Sequence, residues 1–295
     1  MSQSDTNAEL QTQLIALISK QNSILEKQGQ VLEEQRRMLE VLGKASMREV
    51  LADVDHTIQD RQYTMLETME EIGNGKSIAR WGDGEIRIML QPEFDLSFQR
   101  PNPQLANALQ DLLVSYDENF YHTLQAFPTM TSSRFWMGIW ADSWHLLKPL
   151  MMNSTSKWAN THVTRPLFFQ KHREEAVSAW RSLWDNKNVC LIAGKGSRFA
   201  LLPELFDNVK DIKRIDSLPR DAFDEFDDLK RRIDDAPNAD IYLTALGPTG
   251  TVLSAHISSP SGGNKHSIDI GHLASSYANV FLGGQLPENV PLVSN

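Results

Sequence analysis

Cysteine is nearly absent: Cys190 is the single one in 295 residues. That excludes an intrachain disulfide and any zinc site built from several thiolates. Cys190 lies in the apolar run Val189-Cys190-Leu191-Ile192, which reads as a buried strand, so an inert core thiol is expected. Long apolar runs are missing too. No stretch approaches the roughly 20 residues of a membrane span. The polar segment Met1 to Thr6 does not lead from basic residues into an apolar core, as a secretory signal would. A cytoplasmic chain without a membrane span is expected. Positive charge is in deficit, with 29 Lys and Arg against 38 Asp and Glu and a net charge of -9. This argues against non-specific attraction to nucleic acid or to an anionic membrane.

Proline is absent from Ala8 to Ala45, and Gln, Glu, Lys and Leu dominate. Leu10, Leu17, Ile24, Val31 and Met38 recur every seven residues. Ile18, Leu25, Leu32 and Leu39 form a second row one residue later. Paired rows at this period give a helix with one broad apolar stripe. With the first row at d, the a positions are Leu14, Gln21, Gln28, Gln35 and Leu42. The glutamines weaken the seam and fix its register. Residues 1–45 are expected to form a coiled-coil oligomerisation segment, and residues 46–295 a separate domain. An amphipathic helix packed on its own domain is the competing reading.

Beyond Ser46 the pattern predicts a helix over 57–72, closed by Gly73-Asn74-Gly75. A short strand over 77–81 and a turn at Gly82-Asp83-Gly84 come next. Helices are predicted over 103–115, 138–151 and 171–184. The last third alternates: strands over 188–193, 212–216, 240–246 and 267–270, helices over 203–209, 221–233, 249–256 and 272–281. Such alternation implies a mostly parallel α/β sheet with helices on both faces. Ligands of such sheets bind in loops at the carboxyl ends of the strands.

Four of those loops carry chemistry-bearing residues. In Arg80-Trp81-Gly82-Asp83-Gly84-Glu85, two carboxylates one residue apart flank a glycine. Together they suit a hard divalent ion, Mn²⁺ or Mg²⁺, whose remaining oxygens come from a diphosphate. A solvated acidic turn, with Arg80 and Arg87 as neutralising partners, is the plain alternative. Gly194-Lys195-Gly196-Ser197-Arg198 comes after a strand and offers backbone N–H groups and two cations to a phosphate. It is not a Walker A loop, because Gly196 follows the lysine instead of preceding it. Leu246-Gly247-Pro248-Thr249 opens a helix whose N-terminus suits a phosphate or a sugar hydroxyl. Asp269-Ile270-Gly271-His272 places a carboxylate and an imidazole about a glycine, as base, orienter or sugar ligand. Each of the last three also reads as an ordinary strand-to-helix connection.

Taken in order, these segments resemble the GT-D glycosyltransferases, a bacterial family also known by its domain of formerly unknown function, DUF1792. Further residues carry the resemblance: Ser97-Phe98-Gln99, Thr164-Arg165-Pro166, Leu205-Phe206-Asp207-Asn208, Ile212-Lys213-Arg214-Ile215 and Ala222-Phe223. It extends over about residues 57–281. It implies a Rossmann-like fold of GT-D type, with the family's metal-binding D-x-E motif at Asp83 and Glu85. It also implies transfer of a hexose, glucose in the family, from a UDP-sugar to a glycan acceptor in surface polysaccharide or glycoprotein assembly. On this basis Asp83, Glu85, Asp269 and His272 are the expected catalytic residues. Arg80, Gly82, Lys195, Gly196, Ser197, Arg198, Gly247, Pro248 and Thr249 are expected to contact the donor. The chain departs from the family pattern at Lys195, usually acidic, at Ala200-Leu201-Leu202-Pro203, usually glycine-rich, and at Ala274-Ser275-Ser276, where an acid often stands. Those departures leave room for a non-catalytic glycan- or nucleotide-binding scaffold gathered by the coiled coil. A metal-dependent phosphate-ester hydrolase lacks a second carboxylate cluster.

Overall fold

The computed structural model describes residues 3–115, 117–124, 132–153, 157–236 and 238–291. The chain divides into two compact units, Met1–Ala52 and Asp53–Asn295. The first is dominated by helix α1 (Gln3–Ser46), followed by α2 (Arg48–Ile58), whose later residues enter the second unit. Helix α1 holds exposed ion pairs one turn apart, Arg37 with Glu33 and Lys44 with Glu40. Its Leu10, Leu17, Leu25, Leu32 and Leu39 are 57–69% exposed, so the stripe anticipated from the heptads lies open along this chain. No helix among the described residues is long and apolar enough to cross a membrane.

The second unit is built on seven parallel strands in the order β3-β2-β1-β7-β6-β4-β5. These are β1 (Ser77–Arg80), β2 (Phe120–Leu124), β3 (Ala159–Asn160), β4 (Asn188–Gly194), β5 (Asp211–Ser217), β6 (Ile241–Ala245) and β7 (Ser267–Asp269). Alternate residues of a strand point to opposite faces, and β4 shows it. Val189, Leu191 and Ala193 pack under α3 (Met65–Gly73), the helix Pro166–Trp184 and the helix Leu273–Phe281. Cys190 and Ile192 pack on the other side, against the helices Phe226–Asp234 and Pro248–Ser258. Cys190 is thus a core thiol, and burial pushes its pKa up to about 11. Two buried indoles find backbone acceptors: Trp180 Nε1 donates to Val163 O and Trp184 Nε1 to Leu205 O, at 2.9 and 2.8 Å.

Three local expectations are corrected. The helix over 57–72 is broken: the chain leaves α2 at Ile58, makes a 3₁₀ turn at Gln59–Arg61, and restarts at Met65. The restart is a capping box. Glu67 N donates to Thr64 Oγ1 at 3.2 Å, and Thr64 N to Glu67 Oε2 at 2.8 Å, the reciprocal pairing that Thr-x-x-Glu encodes. The turn expected at Gly82-Asp83-Gly84 is the start of helix α4 (Asp83–Leu90), capped by Gly82. Glu85 drives this, because its carboxylate accepts the otherwise free Gly82 N–H at 2.8 Å and two acids in a first turn suit the helix dipole. Strands β2 and β3 stand where the sequence pattern predicts none.

The sheet order sets the site. From β1 the chain moves outward to β2 and β3, then crosses to β4 and β5, and returns through β6 and β7. The reversal lies between β1 and β7, paired at Ile78 and Ile268, where an open α/β sheet leaves a crevice at its carboxyl edge.

Candidate active site

A cavity of about 370 Å³ opens at this edge. Its walls come from the carboxyl ends of the strands and the segments that leave them: Arg80 and Gly82 to Glu85 at the end of β1, Arg165 beyond β3, Ser197 to Phe199 after β4, Leu218 and Pro219 after β5, Leu246 and Gly247 after β6, and Gly271 and His272 after β7. Leu96 to Phe98, Ala222, Ser275, Glu288 and Val290 add to the lining.

Three guanidiniums and one imidazole make the polar wall. Arg165 Nη1 lies 2.7 Å from His272 Nδ1, and Arg198 Nη2 lies 3.0 Å from His272 Nε2. A neutral imidazole has only one acceptor nitrogen, so it satisfies one of the two guanidiniums. Burial and the charges of Arg80, Arg165 and Arg198 hold the His272 pKa well below its ordinary value, so the ring is neutral. Arg198 also donates to Pro287 O at 3.2 Å and Val290 O at 3.3 Å, and Arg165 pairs with Glu288. Burial, and the charge of Arg80, lower the pKa values of Arg165 and Arg198. Arg80 Nε is buried without a hydrogen-bond partner. The Arg80 guanidinium lies directly on Gly271, where a Cβ would fall 1.5 Å from Nη1; only glycine leaves room. Cations packed this closely raise one another's cost and favour a multiply charged anion in their midst.

The acids flank this wall. Burial raises the Asp83 pKa, and it pushes Glu85 up to about 7. Asp269 is buried, raised to about 6 by desolvation, and does not line the cavity. It lies beneath, accepting from Gly271 N at 3.1 Å and from Arg80 N and Thr251 Oγ1 at 3.4 Å.

The structure therefore brings Arg80, Gly82, Asp83, Glu85, Ser197, Arg198, Gly247 and His272 to one cavity. Lys195 and Gly196 lie outside its lining. Pro248 and Thr249 are buried in the helix behind it, with Thr249 Oγ1 3.4 Å from Gln99 Oε1. Asp269 supports the floor instead of facing the ligand space.

The match to known proteins decides the family. Residues 78–286 fit the model of the glycosyltransferase GT-D fold. The chain belongs to that family. It is similar to glycosyltransferase GlyD of Streptococcus pneumoniae serotype 4, at 26% identity over 224 residues, covering 72% of this chain and 27% of that protein. It is also similar to a probable glycosyl transferase Gly of Streptococcus gordonii, at 23% over 235 residues, covering 74% and 33%. The chain thus spans about a third or less of these curated relatives. Among solved structures, one of the conserved domain of unknown function 1792, described as a distinct glycosyltransferase fold, matches with a TM-score of 0.67 at 26% identity, covering 85% of this chain and 88% of that one. A glycosyltransferase of the same domain from Streptococcus sanguinis matches with a TM-score of 0.64 at 23% identity, covering 76% and 85%, a likeness of fold alone. The Rossmann-like GT-D architecture expected from the sequence is the one observed.

Two wall residues of this GT-D chain escape a reading of the sequence. Arg165 stands there only within the resemblance, without a role, and Glu288 belongs to no motif. Among the described residues, no group of three or more His, Cys, Asp or Glu side chains converges as a ready-made cation cage. Asp83 and Glu85 both line the cavity, and Glu85 Oε2 is turned back to the mouth of α4. Two acids so placed fit an ion that takes its other oxygens from substrate and water, the usual habit of Mg²⁺.

Proposed function

We propose that this member of the GT-D family moves a hexose, glucose in the first instance, from a UDP-sugar to a glycan acceptor of a surface polysaccharide or glycoprotein. The convergence of Arg80, Arg165 and Arg198 on one cavity beside two half-buried acids carries this reading. In it, Asp83 and Glu85 hold Mn²⁺ or Mg²⁺. Such an ion would neutralise charge gathering on a departing diphosphate. The arginines supply the complementary donors from the wall that the acids flank. They are fixed before the reaction, by Gly271 under Arg80 and by the 287–290 carbonyls on Arg198, so little reorganisation is needed as charge develops.

His272 sits between two guanidiniums as a neutral ring. Its conjugate acid is disfavoured there, so it orients arginine side chains more readily than it takes a proton. Asp269 acts beneath, fixing the turns that carry Arg80 and Gly271. Helix α1 gathers several chains through its open stripe and so raises the concentration of sites along a polymeric acceptor.

The test is a screen of nucleotide sugars with and without Mn²⁺, scoring UDP release. Metal-dependent release from one UDP-hexose is the expected result. A chain that binds UDP yet turns over no donor is the scaffold instead.

A further inference from the structure

The cavity has a second wall of different chemistry. Leu96, Phe98, Leu218, Pro219, Ala222 and Leu246 line it, and none carries a charge. We propose that Phe98 is the platform on which the nucleobase of the donor stacks, and that Asp221 is the positioning residue that holds it there. The inference rests on the donor reading above and extends it to the nucleoside half.

A ligand whose diphosphate meets the arginine wall presents two ends, a base and a sugar. A hexose brings several hydroxyls, each costly to bury without a partner. A nucleobase has an apolar face, for which an aromatic ring in an apolar slot is the complement. The uncharged wall suits the base, and the sugar end is left to the polar side.

Phe98 is built into place. It meets Gly247 so closely that a Cβ there would lie 2.5 Å from the ring Cε2. Gly247 has φ +56°, so only glycine serves both the backbone and the contact. From the other side, Asp221 N donates to Phe98 O at 2.9 Å. Its carboxylate takes Arg100 N at 2.7 Å on one oxygen and Arg100 Nε at 2.8 Å on the other. Arg100 Nη2 reaches Asp224 at 3.3 Å. Asp221 makes this clasp at φ +52°, a conformation that costs free energy for a residue with a side chain. With its N–H and both carboxylate oxygens spent on the segment 98–100, Asp221 holds the loop that carries Phe98.

The experiment is titration calorimetry on the full chain with UDP and, separately, with inorganic pyrophosphate, both in Mg²⁺. Phe98→Ala is expected to weaken UDP about tenfold or more and leave pyrophosphate unchanged, with Phe98→Tyr near the native value. Asp221→Gly removes the carboxylate half of the clasp and relieves the backbone. It is expected to weaken UDP alone, without lowering Tm, and Asp221→Asn to recover part of the loss. Unchanged UDP affinity in Phe98→Ala overturns the proposal, as does an equal loss for both probes. A native chain that binds pyrophosphate but not UDP overturns the platform alone. One that binds neither overturns the donor reading as well.

Discussion

At Asp83 a carboxylate lines the cavity while burial raises its pKa, so its ionised form costs free energy until a cation arrives. Asp83→Asn keeps the shape and removes the charge. It is expected to weaken Mn²⁺ binding in the presence of UDP by about tenfold or more, read directly from the Mn²⁺ electron spin resonance signal and not from activity. Native-like Mn²⁺ affinity in that variant removes Asp83 as a ligand. A second residue reports on the core beneath the site. His122 is buried in β2 and accepts from Trp81 Nε1 at 3.0 Å, and burial lowers its pKa to about 4. Unfolded, the ring takes protons near pH 6.5. Between those values the unfolded chain binds more protons, so the contribution is full above about pH 6.5 and fades as pH falls towards 4. A depression of this size corresponds to about 3 kcal/mol at most. His122→Asn keeps an acceptor near the Nδ1 position and cannot titrate. Urea denaturation from pH 7 to 4.5 is expected to show a shallower decline in the variant; parallel curves would refute the assignment. At this scale the sequence reveals residues held in motifs, such as Asp83 and Glu85 in D-x-E. It hides Arg165, which stands alone after the buried 3₁₀ turn Thr161–Thr164, and Glu288, in a short turn at Pro287–Asn289. Neither has spacing or composition to announce it; only the fold brings them to the cavity.

Among the elements, those with a full period are legible and those set by a tertiary partner are not. Strand β4, with its buried apolar run, falls within a residue of its predicted span, whereas the helix predicted over 221–233 forms as a 3₁₀ turn at Ala222–Glu225 and then the helix Phe226–Asp234, with acids first and arginines last. Strand β3 is two residues long and exists because Thr123 and Leu124 offer an edge to pair with. Helix α4 reads as a turn in the sequence because Gly82 and Gly84 look like breakers. Instead, Gly82 is a cap and Gly84 admits Leu96, whose Cδ1 would stand 3.1 Å from a Cβ. Helix α1 gives the element-scale prediction. Apolar residues recur at two adjacent positions of the heptad, with leucine at a third only near its ends, and an isolated helix exposing them is marginal in water. The double change Leu25→Glu and Leu32→Glu places charge on that stripe without touching the catalytic unit. The native chain is expected to sediment as an oligomer and the variant as a monomer with reduced helicity. A native monomer would leave α1 without an assembly role.

At the scale of the molecule, two kinds of stability coexist in one chain. The unit 53–295 carries buried apolar clusters on both faces of its sheet. Helix α1 has no such burial of its own among the described residues. The first kind of order survives dilution, whereas the second depends on concentration wherever it comes from a partner. The place to separate them is set by α2. Its Val54, Thr57 and Ile58 are buried, and Asp53 accepts from Trp144 Nε1 at 2.9 Å and pairs with Lys148 at 2.8 Å. A cut inside α2 would strip groups from the catalytic unit, whereas a cut at Ser46 spares them. A chain of residues 47–295 is therefore expected to unfold in one cooperative transition within a few degrees of the native Tm, to bind UDP with native affinity, and to be monomeric at every concentration. Its turnover should match the native chain on a short acceptor and fall behind on a long polymeric one, because only the polymer meets several linked sites at once. Equal rates on both acceptors would show that gathering the sites has no part in the reaction. A fragment that fails to fold would place α1 within the catalytic unit itself.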